Sequence, residues 1–80
     1  MKAVVTIRPR TGVLDPQGQA VAGALGHMGF DEVVDVRQGK IIELVLQDGD
    51  PDAARSRLET MCRELLANTV IEDYQISIEP

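Results

Sequence analysis

Residues 12–18 read Gly12-Val13-Leu14-Asp15-Pro16-Gln17-Gly18, and the rest of the chain is arranged around this stretch. It lies between an apolar run with strand alternation and an apolar run with helical spacing. Asp15-Pro16 is a helix-start signal. An Asp at the cap accepts a hydrogen bond from a first-turn amide, and Pro at the first helical position forfeits no bond that was available. Gly18 in the first turn costs helix stability unless something packs close to its backbone. Val13 and Leu14 sit in a loop without an obvious local partner. Two readings stand for them: they tuck back onto the core, or they form a docking loop.

Upstream, Ala3 to Ile7 alternates like a strand, with Ala3, Val5 and Ile7 on one face and Val4, Thr6 and Arg8 on the other. Pro9 cannot donate to a ladder and marks its end or an edge. Downstream, Val21, Ala24, Leu25 and Met28 follow a three-to-four spacing, which predicts a helix with one apolar stripe, closed by Gly29. A second strand is expected over Phe30 to Arg37, a tight turn at Gln38-Gly39, and a third strand over Ile41 to Leu46. In that third strand Ile42, Leu44 and Leu46 share one face and Ile41, Glu43 and Val45 the other. Apolar residues on both faces point to a second burial surface.

Asp50-Pro51 repeats the cap logic and predicts a second helix to about Leu66, with Ala54, Leu58, Met61, Cys62, Leu65 and Leu66 as its stripe. Asn68 is placed to end it in the left-handed conformation. Val70 to Ile78 reads as a fourth strand, Tyr74, Ile76 and Ile78 alternating against Asp73, Gln75 and Ser77. The expected fold is one α+β domain over residues 1–80, of β-α-β-β-α-β order. This is a ferredoxin-like two-layer sandwich, with intersubunit sheet packing or strand exchange as the alternative.

Composition narrows the function. A chain of 80 residues with one cysteine, Cys62, and one histidine, His27, has no intramolecular disulfide and no Cys/His cluster for zinc. So small a core is commonly reinforced by oligomerisation, and a homodimer or dimer of dimers is expected. The net charge of −5, from 13 acidic and 8 basic residues, argues against a general nucleic-acid binder. Phe30 and Tyr74, the only aromatics, provide no base-stacking surface. No apolar run approaches the roughly 20 residues that span a bilayer. The N-terminus reads as a strand rather than a signal peptide, and the lone cysteine fits a reducing cytoplasm.

Each candidate for chemistry has a plainer reading. Cys62 falls on the apolar stripe and reads as a buried small hydrophobe. His27 reads as a histidine at a helix C-terminus. Asp15 reads as a cap before it reads as a base. Glu72 and Asp73, adjacent in a strand, point to opposite faces and cannot share a proton. Arg37-Gln38-Gly39-Lys40 lacks the spacing of a phosphate loop. No catalytic residue, metal site or cofactor is expected.

The loop and its surroundings do match a known pattern. Gly12-Val-Leu-Asp-Pro-Gln-Gly18 resembles the signature loop of the PurS family, the small subunit of phosphoribosylformylglycinamidine synthase. The agreement continues through Leu25, Gly29-Phe30, Val33, Val36-Arg37 and Gly39-Lys40, and closes with Cys62, Leu65-Leu66-Ala67-Asn68 and Val70-Ile71-Glu72-Asp73-Tyr74. Thr69 stands where the family is expected to prefer proline, which leaves that turn less rigid. The resemblance implies a non-catalytic subunit of purine biosynthesis. It would bridge the ATP-dependent synthetase PurL and the glutaminase PurQ and support passage of ammonia between them. The expected partner-binding residues are Gly12, Val13, Leu14, Asp15, Pro16, Gln17, Gly18, Arg37, Lys40 and Asn68. The rival expectation is a small-molecule-sensing domain of the ACT type, which shares the element order and the dimer.

Overall fold

The computed structural model describes residues 1–79. Three antiparallel strands form the sheet: β1 (Lys2–Pro9), β2 (Lys40–Val45) and β3 (Glu72–Glu79), in the order β2-β1-β3. β1 is central because it can pair on both sides. It runs against β2 from Lys2↔Val45 to Ile7↔Lys40, and against β3 from Lys2↔Glu79 to Pro9↔Glu72. Pro9, without an N–H, falls beyond the last β2 pair, where the sequence placed the end of the strand. The alternation is as expected: Ala3, Val5 and Ile7 are fully buried, and Thr6 and Arg8 face the other side.

Two helices accompany the sheet, α1 (Pro16–His27) and α2 (Pro51–Met61). Both start as the sequence predicts. The Asp15 carboxylate accepts from the Gly18 amide at 3.0 Å, and the Asp50 carboxylate from the Asp52 amide at 3.2 Å. Gly29, at φ +94°, ends α1, and the Phe30 amide reaches back to the Leu25 carbonyl at 3.0 Å. α2 lies along β3. The Tyr74 hydroxyl donates to Glu59 at 2.7 Å, and Arg55 to the Ile76 carbonyl at 3.2 Å. Leu58 and Cys62 are fully buried beneath it. The core gathers Val5, Ile7, Cys62 and Ala67, with Ile42, Leu44, Leu66, Tyr74 and Ile76 around it.

Four expectations need correcting. The second helix closes through a π-helical turn, Cys62–Leu66, in which the Ala67 amide bonds to the Cys62 carbonyl at 3.0 Å. The wider turn changes the phase of the stripe, so Cys62 stays buried and Leu65 is exposed. Asn68 is not left-handed, since positive φ occurs only at Gly12 and Gly29 among the described residues. Instead its side chain accepts from the Val70 amide at 3.2 Å, an Asx turn into β3. The strand expected over Phe30 to Arg37 does not form, so the described order is β-α-β-α-β. Its start is held by the α1 C-cap and its end by Asp15, which accepts from the Gln38 amide at 2.7 Å. The segment thus returns from the end of α1 to its start. Without that strand Gln38-Gly39 is no hairpin turn. Gly39 passes over β1, where a Cβ would collide with the Ile7 carbonyl.

The two helices meet the sheet unequally. α2 packs on one face, whereas α1 stands off the sheet and buries only Gly18. The extents are 50 × 24 × 15 Å and the radius of gyration is 16.1 Å. A compact chain of this length has a radius of about 12 Å.

Candidate docking surface

The loop after β1 is built by local bonds. The Val13 amide closes a turn on the Arg10 carbonyl at 3.1 Å, and Gly12 takes φ +85°. The Arg10 amide bonds to the Ile71 carbonyl at 2.8 Å, and its guanidinium reaches the Thr69 carbonyl at 3.0 Å and Asp73 at 3.3 Å. The loop is thus fixed to the turn that precedes β3.

Its other anchor is Asp15. One carboxylate oxygen takes the Gly18 amide and the other the Gln38 amide. These bonds, that from Gln38 foremost, hold the Asp15 carboxyl below its ordinary pKa of 3.8; the nearby Arg37 charge adds to the effect. Gly18 is needed here for a steric reason. A Cβ on it would run into the Val36 carbonyl and the Asp15 carboxylate. The close packing that the sequence demanded of Gly18 is supplied by residue 36. The Arg37 guanidinium donates to the Pro9 carbonyl, and Lys40 stands 4.0 Å from Glu72, whose carboxylate accepts the Asn68 amide at 2.8 Å.

Asp15 and Gly18 are thereby joined to residues 36–38, Arg37 to the end of β1, and Lys40 and Asn68 to Glu72 at the start of β3. The ten residues named from the sequence come from the loop and the first turn of α1, the stretch entering β2 and the turn entering β3. An open groove of about 370 Å³ runs between Thr11–Asp15 and Asp35–Arg37. Leu14 projects beside it, 66% exposed and outside the core, and Val13 is half-buried. Sequence reasoning missed the cation and carboxylates that tie the segments together, Arg10, Glu72 and Asp73. Their charges lie in strand and turn positions that read individually as solvated, and only the strand register shows them adjacent.

Cys62 is buried, and desolvation together with the Glu59 charge pushes its thiol pKa up, the reverse of an activated nucleophile. His27 is exposed at the last position of α1.

A family model described as PurS: Phosphoribosylformylglycinamidine (FGAM) synthase matches residues 2–80. The chain belongs to the PurS family. Among curated PurS subunits of FGAM synthase, that of Mycobacterium leprae is 51% identical over 78 residues, covering 98% of this chain and 95% of the relative. The solved Bacillus subtilis PurS is 47% identical, with a TM-score of 0.89, covering 99% of this chain and 98% of that one. A chain in the structure of PurLQS from Thermotoga maritima is 29% identical, with a TM-score of 0.82 and coverage of 95% and 93%. These PurS structures bear out the α+β fold class. A PurS match over residues 2–80 leaves the ACT-type sensing reading without support.

Proposed function

We propose that this chain is the non-catalytic small subunit of FGAM synthase in purine biosynthesis, joining the ATP-dependent synthetase PurL to the glutaminase PurQ and supporting ammonia transfer between them. The observation that carries this reading is the full-length likeness to a chain of the Thermotoga maritima PurLQS structure. The loop Gly12–Gly18, with Arg37, Lys40 and Asn68, is the proposed contact surface. The bonds that join the loop to residues 36–38 at one open end of the sheet support it, as does Leu14, an apolar side chain left 66% exposed beside the groove. The buried unpaired Cys62 is in keeping with work in the cytoplasm.

The working unit in this reading is a homodimer or a dimer of dimers. α1 lies off the sheet, and Val34 and Val45 are 95% and 91% exposed. Among the described residues the outer edge of β2 has no neighbouring strand. An exposed edge and apolar residues on an extended arm are features that a second copy would cover, by sheet pairing or by exchange of residues 30–37. The test is reconstitution. Purified cognate synthetase and glutaminase should make the amidine product from glutamine only when this chain is added. Full glutamine-dependent turnover without it would overturn the proposal.

A further inference from the structure

Cations and carboxylates meet at the end of the sheet, but the cleft toward β2 is lined by Arg8, Arg37 and Lys40 and by no carboxylate among the described residues. Four of the 8 cations, Arg8, Arg10, Arg37 and Lys40, gather where β1 ends. Their carboxylate neighbours are largely committed. Asp15 is occupied by two backbone amides. Asp73 lies opposite Arg8 in register but is paired with Arg10 at 3.3 Å. Arg8 is left without an ion pair among the described residues, and the Lys40–Glu72 contact stands at 4.0 Å. Arg8 points, with Thr6, to the face of the sheet that α2 does not cover. It forms a ridge between two open clefts. One, of about 240 Å³, lies towards Gln75 of β3; the other, of about 500 Å³, lies towards Lys40 and Ile41 of β2. Ile41 brings an apolar side chain, 65% exposed, to the edge of the second.

We infer that this ridge, with Arg8 and Lys40 as its reaching cations, docks a carboxylate-rich surface of a protein partner. The inference rests on the assembly role proposed above and names the chemistry that the partner brings. A small anionic ligand is the poorer fit, because such ligands are enclosed over most of their surface and both clefts are open. A protein surface needs no enclosure. Its carboxylates meet the unpaired Arg8 guanidinium, which presents a planar fork for bidentate pairing, while Ile41 provides apolar contact beside it. Exposed charges in this arrangement act mainly on the rate of encounter, and salt screens them.

The experiment is association kinetics of the full-length protein with its cognate synthetase and glutaminase, at about 50 and 300 mM NaCl. For the unsubstituted protein the association rate constant should fall as salt rises. Arg8→Glu combined with Lys40→Glu should lower it about tenfold at low salt and flatten its salt dependence. Arg57→Glu on α2, the same charge reversal as Arg8→Glu alone but placed elsewhere, should leave it unaltered. Arg8→Gln, which introduces no repulsion with Asp73, separates a docking effect from misfolding. It should slow association while circular dichroism and the melting temperature hold. Normal, salt-insensitive association of the charge-reversed protein overturns the docking surface alone. Failure of the unsubstituted protein to associate overturns the assembly role as well. If the ridge instead faces a second copy, the isolated protein will dissociate with salt or with Arg8→Gln, and that result also overturns the inference.

Discussion

Leu14 and Leu58 are both leucines next to a helix start or within a helix, and they answer to different neighbours. Leu58 is fully buried between α2 and the sheet. Leu58→Ala should cost about 2–5 kcal/mol, a large share of the stability of a small domain, and should lower the melting temperature of the isolated protein. Leu14 is mostly exposed. Replacing Val13 and Leu14 together with Ser should leave the isolated protein close to its original melting temperature and impair glutamine-dependent synthesis in the reconstituted complex. A large loss of thermal stability with full activity below the melt would return the pair to the core. Asp15 gives a pH dependence whose sign follows from its bonds. Its folded-state pKa is lowered, so its contribution is complete above the ordinary value of 3.8 and is lost as pH falls through the lower folded value. The Gln38 amide resonance should therefore shift on acidification below the ordinary value of 3.8, and this shift should be absent in Asp15→Ala.

At the scale of elements, the decisive one is α1 with the segment that follows it. α1 is held at its start, by Gly18 against the Val36 carbonyl and Asp15 to the Gln38 amide, and the segment is tied to β1 at its end by Arg37 donating to the Pro9 carbonyl. Gly18→Ala should separate these, because the added Cβ has no space. Hydrogen exchange at Gln38 should then rise, while β1 and β3 amides keep their protection. Protection of residues 30–37 at high protein concentration, lost on dilution, would show that these residues pair with another copy. Uniformly fast exchange at every concentration would exclude strand exchange through them. α2 differs because the buried Leu58, the Tyr74–Glu59 bond and the bond from Arg55 to the Ile76 carbonyl hold it to the sheet.

For the molecule as a whole, a radius of gyration of 16.1 Å in 80 residues belongs to a chain that has not closed over its own sheet. Sedimentation equilibrium at micromolar concentration should show a dimer or tetramer with no substantial monomer. A clean monomer there would sink the oligomer and weaken the partner reading with it. Neither Cys62→Ala nor His27→Ala should abolish turnover of the reconstituted complex. Cys62→Ala removes buried volume, and its effect should appear in the melting temperature instead.

The sequence by itself determined the elements whose signals are local. Asp15-Pro16 and Asp50-Pro51 started helices because a cap and a fixed φ act within one turn. The alternation of Ala3, Val5 and Ile7 identified the buried face because strand side chains repeat every two residues. Gly29 ended α1 because only a residue tolerant of positive φ closes a helix in that way. The loop proposed for docking was named from the sequence, by its apolar side chains and by a family pattern. Tertiary structure decided the rest. It alone showed that Asp15 reaches a backbone amide 23 residues away, that Arg10 takes Asp73 and leaves Arg8 unpaired, and that residues 30–37 leave the sheet. Residues 30–37 have strand-like composition, but composition does not supply a partner. A strand exists only where another backbone lies alongside to take its hydrogen bonds. In this chain the bonds at either end of the segment direct it elsewhere.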